Sequence, residues 1–160
     1  MLDQGRPALS LSEHTTQMYG TGLSVKFDTG GLGKVLAGGE LAQDDIVSTS
    51  LGTHVQAREA VFTEWHMPAL LGVHSETGLR ADNSVWGLQF SPSLGLSAWP
   101  AQELKVRGAL GRAFRSPSFT ELYYKDPVNF GNDTLSPEQA VCAEAGADWI
   151  PLEGWKFSGT

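Results

Sequence analysis

Along most of the chain, apolar and polar side chains alternate with a period of two rather than 3.6, the signature of strands with one buried or lipid-facing side. In "YGTGLSVKFD", Tyr19, Thr21, Leu23, Val25 and Phe27 share one face, and Gly20, Gly22, Ser24, Lys26 and Asp28 share the other. "LLGVHSETGLR" sets Leu71, Val73 and Leu79 against His74, Glu76 and Arg80. "LKVRGALGR" sets Leu104, Val106 and Leu110 against Lys105, Arg107 and Ala109. "AVCAEAGADWI" sets Val141, Ala143, Ala145, Ala147 and Trp149 against Cys142, Glu144, Gly146 and Asp148. The pattern predicts roughly eight strands, at about 14–28, 34–43, 54–67, 70–80, 86–99, 104–115, 139–150 and one starting near 155. Connections near 29–33, 68–69, 100–103 and 151–154 read as short. Those near 44–53, 81–85 and 116–138 read as longer. Such a meander is an up-and-down antiparallel sheet. Short turns at one end and longer loops at the other are also the layout of a transmembrane barrel.

Three features favour a barrel over a soluble β-sandwich binding module. The strands are long, about 10–14 residues, where globular strands run about 5–6. The polar face carries full charges in mid-strand (Glu76, Lys105, Arg107, Glu144), which suits a wet lumen. Trp65, Trp99, Trp149 and Trp155, four of the five tryptophans, fall at the short-turn end, where an aromatic girdle would lie. Composition narrows the picture further. Only 18% of the 160 residues are charged, below the ~25% of a soluble domain. A net charge of −7 argues against a nucleic-acid partner. A single cysteine, Cys142, excludes an internal disulfide. No run approaches the ~18 apolar residues of a membrane helix. "MLDQGRPALSLSEHTTQ" has neither a cationic n-region nor a continuous apolar h-region, so any export signal is missing or lies upstream.

One stretch is more specific. "GRAFRSPSFTELYY" places Arg112, Phe114, Arg115, Pro117, Ser118, Phe119, Glu121, Leu122 and Tyr123 at the end of a strand. "GNDTLSPE" follows with Gly131, Asn132, Leu135, Pro137 and Glu138, and then a strand with Glu144 and Gly146. These boxes, with "GLRAD" and "FSPSLGLSAWP" upstream, resemble the C-terminal barrel domain of TonB-dependent outer-membrane receptors. The resemblance is specific over about 78–149 and compositional before that. It implies an all-β, antiparallel up-and-down transmembrane barrel, of which this chain supplies about eight strands. It also implies residence in the outer membrane of a Gram-negative-type bacterium. The implied partners are outer-membrane lipid, the TonB energy-transducing complex and a plug domain. The implied ligand is a scarce one, such as a ferric siderophore or cobalamin, with no cofactor. Residues 1–13 read as a loop remnant and 14–160 as a partial barrel without its plug. Two departures stand out. The second box reads Asn132-Asp133-Thr134 where the family often has Asn-Pro. The segment between the boxes holds no histidine, which argues against haem. A passive porin-like or structural barrel is the alternative.

Each candidate residue also has a plain structural role. Tyr123, Tyr124, Asn129, Asn132 and Asp133 lie in the longest loop and are suited to first contacts with a bulky chelate. Ordinary turn chemistry and an interfacial belt explain the same residues. Lys105, Arg107, Arg112 and Arg115 read as hydrated lumen residues pairing with acids such as Glu144 and Asp148. Arg115, Glu121 and Glu138 read as ordering the base of the long loop. His66 and His74 share the polar face with Glu64, and Glu64 could lie across from His74. With no third and fourth ligand, a metal site is not expected. No nucleophile–base pair or phosphate-binding loop is present, so catalysis is not expected either.

Overall fold

A computed structural model describes residues 13–125, 128–152 and 154–160, so the expected loop remnant lies, apart from Glu13, outside the described residues. Eight strands follow in order: β1 (His14–Asp28), β2 (Lys34–Ser48), β3 (Gly52–His66), β4 (Val73–Ser84), β5 (Gly87–Ala101), β6 (Leu104–Arg115), β7 (Glu138–Leu152) and β8 (Trp155–Gly159). They pair as one antiparallel sheet in sequence order, with β1 and β8 at its edges. One short helix, α1 (Phe119–Tyr123), interrupts the β6–β7 connection. The alternation read from sequence is the cause of this arrangement. Cross-strand partners share a face, so register carries the apolar pattern from strand to strand. Leu23 lies opposite Gly39, Gly39 opposite Val61, Val61 opposite Ala81, and Ala81 opposite Phe90.

The two faces differ as a barrel requires. The outer face is apolar yet uncovered: Leu23 is 75% exposed, Val61 64% and Val141 75%. Among the described residues the buried apolar side chains are Ile46, Leu51, Ala60, Leu122 and, in the long loop, Pro117. A sheet with so little interior and so much exposed aliphatic surface needs an apolar solvent on that side. The inner face is laced by ion pairs instead. Arg80 bridges Glu40 (2.8 Å) and buried Asp82 (2.9 Å). Arg107 holds buried Asp148 at 2.7 Å, with Lys156 3.6 Å from the same carboxylate. Gly38 has a packing reason on this face, since a Cβ there would lie 2.5 Å from the ring of Phe62.

The loop lengths depart from expectation. The polar runs near 44–53 and 81–85 do not leave the sheet. Asp45 pairs with Gln17, Ile46 with His54 and Ser48 with Gly52, leaving a three-residue turn. The Ser48 hydroxyl accepts the Ser50 and Leu51 amides and closes that turn. Strand β4 continues to Ser84, opposite Gly87, so Val85 and Trp86 alone join it to β5. Side-chain polarity marks a change of solvent, but backbone pairing continues through water as well as lipid. Only the connection from 116 to 137 is long. At the other end, Trp149 and Trp155 each approach Phe157, with ring centroids 5.7 and 6.2 Å away. The Trp65 indole N–H donates to the Leu32 carbonyl at 2.8 Å. Clustered aromatic rings at this end, one with its polar tip satisfied, are what a membrane boundary favours.

Candidate functional site in the long loop

The long loop is built from its neck upward. Arg115, the last residue of β6, lies opposite Glu138, the first of β7, and its Nε donates to that carboxylate at 3.2 Å. Its two terminal nitrogens donate to Glu121 at 3.0 and 2.8 Å, a bidentate pair. The base of the loop is thus closed by one guanidinium shared between two carboxylates. Glu121 also completes a capping box. The Ser118 hydroxyl accepts the Glu121 amide, and the Glu121 carboxylate accepts the Ser118 amide at 2.7 Å. The Arg115 fork first, and then the Ser118 donors, hold the Glu121 carboxyl down to about 2.

The helix that this box starts is only five residues long, and packing anchors it. Pro117 is buried, and so is Leu122, which lines one cavity with buried Leu51 of the β2–β3 turn. The Tyr123 ring stacks on His54 of β3 with centroids 3.5 Å apart and planes 3° from parallel. A His54 ring nitrogen lies 2.6 Å from the Leu51 carbonyl, which fixes the imidazole. The loop therefore folds across the inner face, past β4 and β5, to the β2–β3 hairpin. Its return limb is tied too, by the Asn132 amide donating to the Glu121 carbonyl and by the Trp86 indole N–H donating to the Leu135 carbonyl. Gly131 permits the closest approach, for a Cβ there would lie 2.6 Å from the Leu122 carbonyl oxygen.

Between the loop and the hairpin lies a cavity of about 480 Å³ lined by Gly52, His54, Leu122, Tyr123, Lys125 and Asp133, among others. Of the loop residues singled out in the sequence, Tyr123 and Asp133 meet here. Tyr124 caps α1, and its carbonyl accepts the Gly131 amide. The side-chain oxygen of Asn132 is turned inward, accepting the amide and hydroxyl of Thr134 at 3.0 and 2.6 Å. Asn129 is exposed, away from the lining. His54 and Lys125 were not singled out in the sequence. "SFTE", a capping-box signature, was the available signal for the helix that brings Tyr123 to His54.

Elsewhere the register corrects details. Arg112 pairs with Val141 and so sits on the outer face near the loop end, not in the lumen. Of the two acids expected to pair with this basic group, Asp148 meets Arg107, while Glu144 lies opposite Ala109. Glu64 faces Gly78 rather than His74. His66 instead meets Glu76 (3.4 Å) and Glu64 (3.9 Å), giving three exposed or half-buried groups whose ligand atoms lie within 4.8 Å.

Residues 6–160 match the family model described as "TonB dependent receptor-like, beta-barrel". No curated protein matches the sequence. Among solved structures, the siderophore receptor PirA from Pseudomonas aeruginosa superposes with a TM-score of 0.80 at 20% identity, covering 92% of this chain and 31% of that one. A mutant of the ferric enterobactin receptor PfeA from the same organism gives 0.79 at 18% identity, covering 89% and 26%. PirA from Acinetobacter baumannii gives 0.70 at 17%, covering 86% and 25%. The chain thus spans between a quarter and a third of these relatives. By its family match, the alternation of its faces and its eight-stranded up-and-down sheet, the chain belongs to the TonB-dependent receptor β-barrel family.

Proposed function

We propose that this chain forms part of the wall of an outer-membrane receptor that captures a ferric siderophore and imports it with energy from the TonB complex. The β6–β7 loop would form part of the capture surface. The observation that carries this reading is the ordered loop itself. It is held at its neck by Arg115, Glu121 and Glu138, and it presents Tyr123, Lys125 and Asp133 around a cavity at one end of the sheet. An aromatic ring and a cation suit a bulky, anionic, aromatic-rich chelate. The siderophore receptors that share the fold support this choice over cobalamin. In the same reading, the inner-face ion pairs line the lumen against a plug domain.

Uptake tests it. A strain depending on this receptor should grow on a ferric siderophore as its sole iron source, and growth should stop when TonB is deleted. Lys125→Ala with Tyr123→Ala should weaken ligand binding about tenfold or more, as expected for losing one charged and one stacking contact. Growth independent of TonB would sink the proposal.

A further inference from the structure

The cluster that register assembles around His66 supplies a ligand that the sequence spacing left out. Glu64 and His66 share the inner face of β3 two positions apart, and Glu76 of β4 lies directly opposite His66. The His66 Nδ1 is 3.4 Å from a Glu76 carboxylate oxygen, and its Nε2 is 3.9 Å from Glu64. One ligand atom from each of the three lies within 4.8 Å of the others. Ligand atoms held about 2.1 Å from one tetrahedral ion stand about 3.4 Å apart, so His66 and Glu76 already have that separation. Glu64 has room to complete the set, because Gly78 opposite it carries no side chain. The donors are one imidazole and two carboxylates, with a fourth position left open.

The charge balance calls for a cation. Two carboxylates meet one imidazole, and the neighbouring basic side chains do not answer them. Arg80 is shared between Glu40 and Asp82. Lys34, opposite His66 on β2, forms no ion pair among the described residues. Glu76 also lines an inner-face trough of about 370 Å³ that holds Gly95, Ala109, Cys142 and Glu144. Register sets Glu76, Gly95, Ala109 and Glu144 in one row, so two small residues floor the trough between two acids. A cleft lined by one sign of charge concentrates counter-ions. An imidazole nitrogen selects zinc and similar transition ions over the magnesium or calcium that all-oxygen sites take. We propose that Glu64, His66 and Glu76 bind a divalent ion of the zinc type, with water in the fourth position. The site is separate from the long loop. His54 precedes His66 by twelve positions on β3 (66 minus 54), about 40 Å of strand. It therefore does not rest on the capture role proposed above.

The test is metal analysis of the intact receptor in mild detergent, stripped with EDTA, then dialysed against Zn²⁺ alone. The wild type should hold one zinc ion more per receptor than H66A. E76Q should weaken binding at least about tenfold, the loss that even an outer partner of a metal ligand causes. His74 shares the inner face of β4 but stands outside the three, so H74A should keep the ion. Excess Ca²⁺ should leave the zinc in place. Co²⁺ in its stead should give visible absorption in the wild type that H66A lacks. Heat-shifted electrophoretic mobility would confirm that each variant is folded. E64Q and E76Q preserve side-chain shape, so they carry the comparison should H66A misfold. Equal zinc in the wild type and H66A overturns the site. Equal loss in H66A and H74A overturns the set of three ligands, and displacement of the zinc by Ca²⁺ overturns the class of ion.

Discussion

Leu110→Arg separates a lipid-facing sheet from a water-facing one on a single side chain. Leu110 lies on the outer face of β6, opposite Leu94 and Ala143, and is 52% exposed. It is six positions from Leu104, the partner of girdle residue Trp149, about 20 Å of strand and about 15 Å along the normal at a ~40° tilt. That is close to the middle of a ~25 Å apolar band, where an arginine costs about 2–4 kcal/mol. The folding equilibrium should fall about 30- to 800-fold. Were the face wet, the same change at a half-exposed position would stay within about 0.5 kcal/mol. The neighbouring control is Ala109→Arg. Its side chain points to the inner face, opposite Glu144, and is exposed there, so its cost should be near zero. The assay is equilibrium folding of the intact receptor into phospholipid vesicles along a urea gradient, followed by tryptophan fluorescence. Equal effects of the two arginines, or a Leu110→Arg cost under about 1 kcal/mol, would refute the assignment of faces.

Three further outcomes concern the long loop. Because the folded Glu121 carboxyl is depressed to about 2, its contribution to loop order should be complete above the ordinary carboxylate range, near 4.3. It should be lost as pH falls through about 2, and rate-corrected hydrogen exchange of the 118–124 amides should show that loss in the wild type but not in Glu121→Gln. Leu122→Ala removes the buried anchor of α1 and should cost about 2–5 kcal/mol of local docking, read as at least about tenfold faster protease cleavage within 116–137 while the strands stay intact. Gly131→Ala forces its new methyl against the Leu122 carbonyl and should loosen the loop by about 1–3 kcal/mol, visible as the same rise in cleavage with Glu121 still paired.

The strands were legible because their cause is local. Alternation fixes which side of each strand is apolar, and antiparallel register then follows with little freedom, since a one-residue slip would turn every leucine of the outer face inward. The segment read as 104–115 spans β6 as observed, and 14–28 spans β1. Strand ends were less legible where polarity and pairing part company. Gln43, Asp44 and Asp45 carry the composition of a loop, yet their backbones pair with Tyr19, Met18 and Gln17. Glu59 shows the same limit from the other side. It is an acid among the alternating apolar positions of "HVQAREAVFTEWHMP", and the register places it on the outer face beside Asn83.

The loop site divides along a similar line. Arg115, Glu121 and Glu138 could be grouped from sequence because two of them end paired strands and the third follows a capping serine at the right spacing. Their meeting needs only the hairpin and one helical turn. The stack of Tyr123 on His54 depends on something no spacing encodes: how far the loop leans across the inner face before it meets another hairpin. These residues are 69 positions apart (123 minus 54), and their contact is set by the curvature of the sheet between β3 and β6. The same reasoning says where the loop can yield. Its neck is held by charge that low pH removes, and its far end by one stack and one buried leucine. In the proposed capture role, a ligand entering the cavity would meet Tyr123, Lys125 and Asp133 at that far end. Displacement of the Tyr123 ring from His54 is therefore the first change binding should produce. A His54→Ala receptor should carry that change already made, with the Arg115 clamp untouched.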